Sequence, residues 1–402
     1  MSENKNPETS DFSIKLPDPL APVDPAAALE MLKLIPEIQQ KIDAQLKAFI
    51  DGLLGDALDS KEFRSKLDSA FRLGKEELSN AASLMTGRYM DRNLVGVKGS
   101  VFMKSLESMR ALLDQFDPAK YGDLAHNSKF LGLIPMGNKL KDYFAVYQSA
   151  LEQTQKNMTD LFTARDEMKK DAEQIEVLKN KLWNAMHRLK GAIYFGENLQ
   201  KQVAAQLEAI KKNDPQRAER LVQDVLNNVR QNIEDMTMQM SVNMNGYRAM
   251  ETLQKIASEM VTGCEKIANS SLLALGTSQQ VAINTGNPIQ VMETLAGLNE
   301  TIAKQVAETS QKLAESFGKT DGAASSQPEA GVKKMQEMFG ASLKAMTDFE
   351  NIRNQATNII SQNQQMIREL MSSSLPYLER SRTLTVNNTP LSADDPDRPV
   401  RL

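Results

Sequence analysis

An all-α fold is what this 402-residue sequence predicts: an elongated antiparallel coiled-coil-like helical bundle with two very long helices and disordered termini. Three observations carry that expectation. First, no proline interrupts Asn138 to Asn213, and apolar residues return there at alternating steps of four and three. The series runs Leu140, Phe144, Tyr147, Leu151, Met158, Leu161, Met168, Ala172, Ile175, Leu182, Met186, Leu189 and Ile193, the 3.5-residue repeat of a coiled-coil seam. Thr154, Arg165 and Lys179 occupy seam positions without being apolar. A helix of this length spans roughly 110 Å at 1.5 Å per residue. Second, a similar run follows at once, with Val225, Val229, Ile233, Met236, Met240, Tyr247, Met250, Leu253, Met260, Cys264 and Ile267 inward. Two such helices joined by a few residues should fold back antiparallel. Third, aromatic content is 5%, methionine is plentiful at 22 residues, and there is one tryptophan. That composition suits helices packed through aliphatic and Met side chains.

The elements follow in order. Residues 1–25 are polar and carry Pro17, Pro19, Pro22 and Pro25, which reads as a disordered, polyproline-like arm. A helical core covers 26–317. Leu29, Leu32, Ile35, Ile38, Ile42, Leu46, Phe49 and Leu53 form an amphipathic stripe, which Pro36 kinks or splits. Asp59 with Glu62 makes a capping pair for a helix that turns Phe63, Leu67, Phe71, Leu78 and Met85 inward. After Gly96 and Gly99 a segment with Phe102, Leu106, Met109 and Leu113 runs to Asp117-Pro118. Residues 118–137 are irregular, and no strand series is expected. The long helices occupy about 138–212 and 215–285. Lys211-Lys212 complement the negative end of the first, and Asp214-Pro215 supply a cap and first-turn proline for the second. Gly286-Asn287-Pro288 repeats that stop and restart before a helix with Val291, Leu295, Leu298, Ile302, Val306, Leu313 and Phe317. Residues 318–331 read as a flexible linker, 332–372 as a C-terminal helix, and 373–402 as a disordered tail.

Charge excludes some functions. The 48 basic and 52 acidic residues are mixed along the chain, which argues against nucleic acid as a partner. A lone cysteine, Cys264, leaves no internal disulfide and points to a reducing compartment. Met1 to Asp11 lack a hydrophobic signal core, and no run approaches the roughly 18 apolar residues of a membrane span. A cytoplasmic protein is therefore expected.

The chain offers little material for chemistry. Its two histidines, His126 and His187, do not form the paired Glu-x-x-His units of a di-iron bundle, since position 184 is Asn. There is no phosphate-cradling or dinucleotide-binding glycine motif. Cys264 falls on an apolar seam position, where a buried thiol is expected. Met236, Met240 and Met244 recur at one-turn spacing, suited to core packing, to an adaptable partner surface, or to a soft metal. No catalytic, cofactor-binding or metal-binding residue is assigned. One segment stands out: Gly132 and Gly137, then Asn138, Lys139 and Lys141 at a helix start. Backbone N–H groups and two lysines there make a candidate anion or partner site; a loop packed on the bundle, with Asn138 as cap, is the plainer reading.

Several segments resemble the bacterial TelA family, named for toxic anion (tellurite) resistance. They are Leu131 to Phe144 with Tyr147-Gln148-Ser149-Ala150, then Lys179-Asn180-Lys181-Leu182-Trp183, then Asn245-Gly246-Tyr247-Arg248-Ala249-Met250, and finally Leu295 to Thr301. They cover roughly 55–365 in order. The chain departs where the family carries an Asn-Asn-like pair, having Ala257-Ser258, so no role of those residues is carried over. The resemblance implies a cytoplasmic, non-enzymatic helical protein linked to resistance to tellurite and to envelope or toxic stress, without a cofactor. Three function classes follow: an elongated adaptor that binds protein partners; direct oxyanion or metalloid sequestration near Lys139 and Lys141; and a peripheral membrane or envelope-stress scaffold using the Leu29–Leu53 stripe. The seam can close within one chain or between copies, so a homo-oligomer is open.

Overall fold

The computed structural model describes residues 14–85, 101–124, 129–130, 134–135, 139–318 and 328–382. The helices are α1 (Pro25–Glu30), α2 (Pro36–Gly55), α3 (Lys61–Arg72), α4 (Lys75–Met85), α5 (Val101–Gln115), α6 (Lys139–Ser149), α7 (Leu151–Asn213), α8 (Pro215–Arg220), α9 (Asn227–Asn284), α10 (Val291–Ala296), α11 (Glu300–Gly318) and α12 (Pro328–Arg382). The fold is all-α. The strands among the described residues are two antiparallel pairs of residues, Lys129–Phe130 (β1) against Ile134–Pro135 (β2), an addition to the expected irregular segment.

Local chemistry explains most boundaries. Pro25 and Pro36 sit in the first turns of α1 and α2, where a missing N–H costs nothing. The stripe from Leu29 to Leu53 is thus split at Pro36, and Asp24 caps α1 by accepting from the Ala27 N–H at 2.8 Å. Ser60, not Asp59, caps α3; its hydroxyl accepts from the Phe63 N–H at 3.0 Å. Gly74 then separates α3 from α4 at φ +72°, where a Cβ would stand 2.0 Å from Met236 Sδ. Only glycine fits both that backbone and that neighbour.

The first long helix is interrupted once, at Ala150 between α6 and α7, yet Ala150 N–H still reaches Val146 O and Thr154 N–H reaches Ala150 O. At its far end Asp214 accepts from Arg217 N–H at 3.0 Å, with Pro215 behind it. From Pro215 to Asn284 the chain is helical throughout, but Leu221–Leu226 is wound as a π-helix. Asn227 N–H there bonds Val222 O, one residue further back than in an α-helix. Gly286, at φ +76°, closes α9: Asn287 N–H bonds Ala282 O at 2.8 Å and Gly286 N–H bonds Ile283 O. That is the paired bonding of a glycine-terminated helix.

The chain divides into two compact units. Unit 1 contains Met1–Pro17, Asn93–Ala172 and Lys255–Asn358; unit 2 contains Asp18–Arg92, Glu173–Gln254 and Ile359–Leu402. In unit 1, α7 residue Lys169 meets Glu265 at 3.1 Å and Tyr147 of α6 meets Ser278 at 2.7 Å. In unit 2, Lys179 meets Gln254 at 2.8 Å, Trp183 meets Tyr247, and Gly196 faces Ile233. Rising numbers pair with falling numbers, so the two long helices run antiparallel within each unit. The third long helix repeats this against α9 in unit 1, where Val281 faces Gly331, Ser271 bonds Ser342 and Phe349 covers Gly263.

The unit 2 core has two clusters. One joins Ile42, Leu46, Phe49 and Leu53 of α2 to Phe195, Leu199 and Val203 of α7 and Val225 and Val229. The other joins Met236, Met240 and Met244 to Met186, Leu189, Ile193 and Leu78. The apolar stripe of α2 is thereby engaged in the core. In unit 1, Phe116 stacks on Tyr147 with ring centroids 4.1 Å apart.

Two terminal expectations need correction. Residues 14–24, expected to be disordered, carry no helix of their own, and residues 20–23 are tied to α9 and α12 by side chains. Pairing with fixed groups replaces the internal structure that a proline-rich segment cannot make. The C-terminal helix begins at Pro328 rather than 332 and continues past 372 to Arg382, with Pro376 inside it. Leu378 packs against the methionine cluster, which extends the helix beyond its polar serines. Residues 1–13, 319–327 and 383–402 lie outside the described residues.

Candidate functional site

Gly132, Gly137 and Asn138 lie outside the described residues. Lys139 and Lys141 stand exposed in the first turn of α6. Directly behind them the helix turns inward. Tyr143 and Tyr147 are both 1% exposed. The Tyr143 hydroxyl donates to Phe116 O at 2.7 Å and lies 3.2 Å from the Tyr147 hydroxyl, which is 2.7 Å from Ser278 Oγ. Ser278 in turn reaches Ala274 O at 3.1 Å. Burial pushes both phenols well above their ordinary range, so they stay protonated and act as hydrogen-bonding posts. This chain of hydroxyls ties α6 to α9 and to the end of α5.

In unit 2 two of the sequence segments singled out above come face to face. Lys179 Nζ donates to Gln254 Oε1 at 2.8 Å and to Glu176 at 3.2 Å, and stands 5.5 Å from the Tyr247 ring centroid. Glu176 also accepts from Gln254 Nε2 at 2.8 Å. The Gln254 and Lys179 hydrogen bonds hold its carboxyl below the usual range. Trp183 lies 5.3 Å from Tyr247 and 5.1 Å from His187, ring to ring. Trp183 is nevertheless 37% exposed. His187 Nδ1 is buried without a hydrogen-bond partner, and burial lowers the imidazole pKa. A Cβ on Gly246 would press on Met85, which explains glycine there.

The three polar seam residues have partners. Thr154 bonds Ala150 O at 2.9 Å. Arg165, 6% exposed, pairs with Asp166 at 2.7 Å, approaches Glu265 at 3.8 Å and covers the Phe162 ring. The Leu295–Thr301 segment starts a helix, since Asn299 Oδ1 accepts from Ile302 N–H at 2.9 Å and caps α11. Ala257 is fully buried and Ser258 is exposed. Cys264 is buried, and its thiol is pushed far above the reactive range by desolvation. Among the described residues no group of three or more His, Cys, Asp or Glu is placed to hold a metal ion, and no helix is long and apolar enough to cross a membrane.

Sequence reasoning missed a further set of polar groups. Asn245 is fully buried, Ser241 is 3% exposed and Asn363 is 4% exposed. All three bond the main chain of the arm at residues 20–23. For Ser241 and Asn245 the signal was present: Ser and Asn amid the methionines of a helix interior, where such residues are poor helix formers.

The segments Leu131–Phe144 with Tyr147–Ala150, Lys179–Trp183, Asn245–Met250 and Leu295–Thr301 fall within residues 60–380, which match the family model described as toxic anion resistance protein (TelA). The chain belongs to the TelA family. The match covers most of its length, and family membership supports a role in toxic-anion resistance. No curated protein and no solved structure matches the chain. The TelA segments are therefore best read through this structure. One forms the buried tyrosine anchor of α6, two meet across α7 and α9, and one caps α11.

Proposed function

We propose that this TelA protein serves tellurite and related toxic-anion resistance as a non-enzymatic helical adaptor of the bacterial cytoplasm. One observation carries the reading. Where the family segments meet, Lys179, Glu176 and Gln254 satisfy one another beside the Tyr247 ring, while Trp183 keeps an exposed edge. Such an arrangement fixes a rigid aromatic surface, and partly exposed tryptophans are favoured anchors at protein interfaces. In the Leu29–Leu53 stripe that motivated a membrane scaffold, Leu29, Leu32, Ile42, Leu46, Phe49 and Leu53 are engaged in the unit 2 core, which supports the adaptor over that alternative.

Calorimetric titration of the full chain with tellurite tests the adaptor against direct sequestration. The expected result is no saturable heat. A stoichiometric heat that Lys139→Ala with Lys141→Ala abolishes would overturn it. In cells, Trp183→Ala should reduce resistance with the protein level unchanged; full resistance in that variant removes this surface from the function.

A further inference from the structure

Residues 18–24 read Asp-Pro-Leu-Ala-Pro-Val-Asp, and in unit 2 they run without helix or strand along α9 and α12. Four main-chain groups of this strap are bonded by side chains. Leu20 N–H donates to Asn363 Oδ1 at 3.1 Å. Ala21 O accepts from Arg248 at 2.9 Å. Val23 N–H donates to Asn245 Oδ1 at 2.8 Å, and Val23 O accepts from Asn245 Nδ2 at 2.9 Å and from Ser241 Oγ at 2.7 Å. The carboxamide of Asn245 thus pairs with one residue of the strap as a neighbouring strand would.

The two sides of this contact are unequal. Beneath the strap, Asn245, Ser241 and Asn363 are all at least nine-tenths buried. Of the strap, Asp18, Pro19, Ala21, Pro22 and Asp24 are exposed and no residue is fully buried. The groove reads backbone at four main-chain groups and one apolar side chain, Val23, which packs against the methionine cluster. The bonded N–H groups belong to Leu20 and Val23, three apart, and Pro19 and Pro22 precede them at the same interval. Three residues is the repeat of the polyproline helix, which leaves its main-chain groups free for an outside partner. A groove that fixes backbone groups at that interval and seats one apolar side chain suits other extended proline-containing segments with an apolar residue at the Val23 position. The strap runs into α1 through its cap Asp24, and Ala28 and Leu32 just beyond are buried in the methionine cluster and hold α1 in place.

We propose that the α9–α12 groove at Ser241, Asn245, Arg248 and Asn363 is a docking site for an extended proline-containing segment of a partner protein, occupied in cis by residues 18–24. The proposal rests on the adaptor reading and names the chemistry of one partner.

The probe is a fluorescein-labelled synthetic peptide of residues 14–24, followed by anisotropy against the full chain. Leu20→Pro with Val23→Pro removes both strap N–H donors and leaves the groove intact. Because the tethered strap competes at an effective concentration on the order of millimolar, the probe should bind this variant at least about tenfold more tightly than wild type. Adding Asn245→Ala should abolish binding. No binding to the helical, folded double-proline variant overturns the proposal. If that variant does not fold, wild type decides: saturating unlabelled peptide should speed hydrogen exchange at the Leu20 and Val23 amides, and unchanged exchange overturns the proposal. A mass that doubles with concentration by light scattering assigns the groove to the strap of a second copy and overturns the partner assignment. Absent peptide binding alongside lost resistance in Trp183→Ala removes the groove alone. Stoichiometric tellurite binding alongside intact peptide binding removes the adaptor reading alone.

Discussion

Single side chains decide where this bundle is rigid. Tyr147 is 1% exposed and makes its bond to Ser278 in a place water does not reach. Tyr147→Phe should therefore cost about 1–2 kcal/mol, measured by urea unfolding, while Ser278 keeps Ala274 O as a partner. His187 has the opposite character. Its folded pKa is lowered by burial, so the unfolded chain binds the proton more readily. Stability is then full above the unfolded value near pH 6.5 and falls as pH drops below it. His187→Gln should flatten the decline in thermal midpoint below about pH 6.5, and an unchanged pH profile would remove His187 from it. Little of this was visible in the sequence. Tyr147 was legible as a seam residue, but its hydroxyl partner Ser278 lies 131 positions away, and no local pattern encodes that.

Among elements, the connection between the long helices is braced by one arginine. Arg217 donates to Leu53 O at 2.7 Å and Asp56 O at 2.8 Å, pairs with Asp214 at 3.1 Å and lies over the Phe63 ring. It thus covers carbonyls at the C-terminal end of α2, where orphan acceptors gather. Arg217→Ala should cost about 1–3 kcal/mol and raise hydrogen exchange at the end of α2, read by mass spectrometry. Unchanged exchange there would mean the clamp is ornamental. The π-helical turn at Leu221–Leu226 follows directly. Element ends with a cap or proline, such as Asp214-Pro215 and Pro36, were legible because the cause is within four residues. The break at Gly74 was not, because a lone glycine in a helical pattern does not show that the chain takes a φ of +72° there, or that Met236 of another helix fills the space beside it.

For the whole molecule, α7, α9 and α12 each contribute residues to both compact units. Helical continuity should couple them, since melting one part of a long helix frays the next. The chain carries its own reporters, a single tryptophan in unit 2 and a single cysteine in unit 1. Trp183 fluorescence and Cys264 alkylation should report one coincident unfolding transition in urea; separated midpoints would show that the units melt independently. By itself the sequence determined the all-α class, the seam register and the stop–restart points, because periodicity and caps are local. It even marked Arg165 and Lys179 as the seam's polar exceptions. Only the tertiary structure decided that these charges reach Glu265 and Gln254 on α9, that the tyrosines anchor α6, and that the proline-rich arm is seated rather than free. Each of those outcomes depends on groups brought together from distant positions, and a linear pattern carries no term for that.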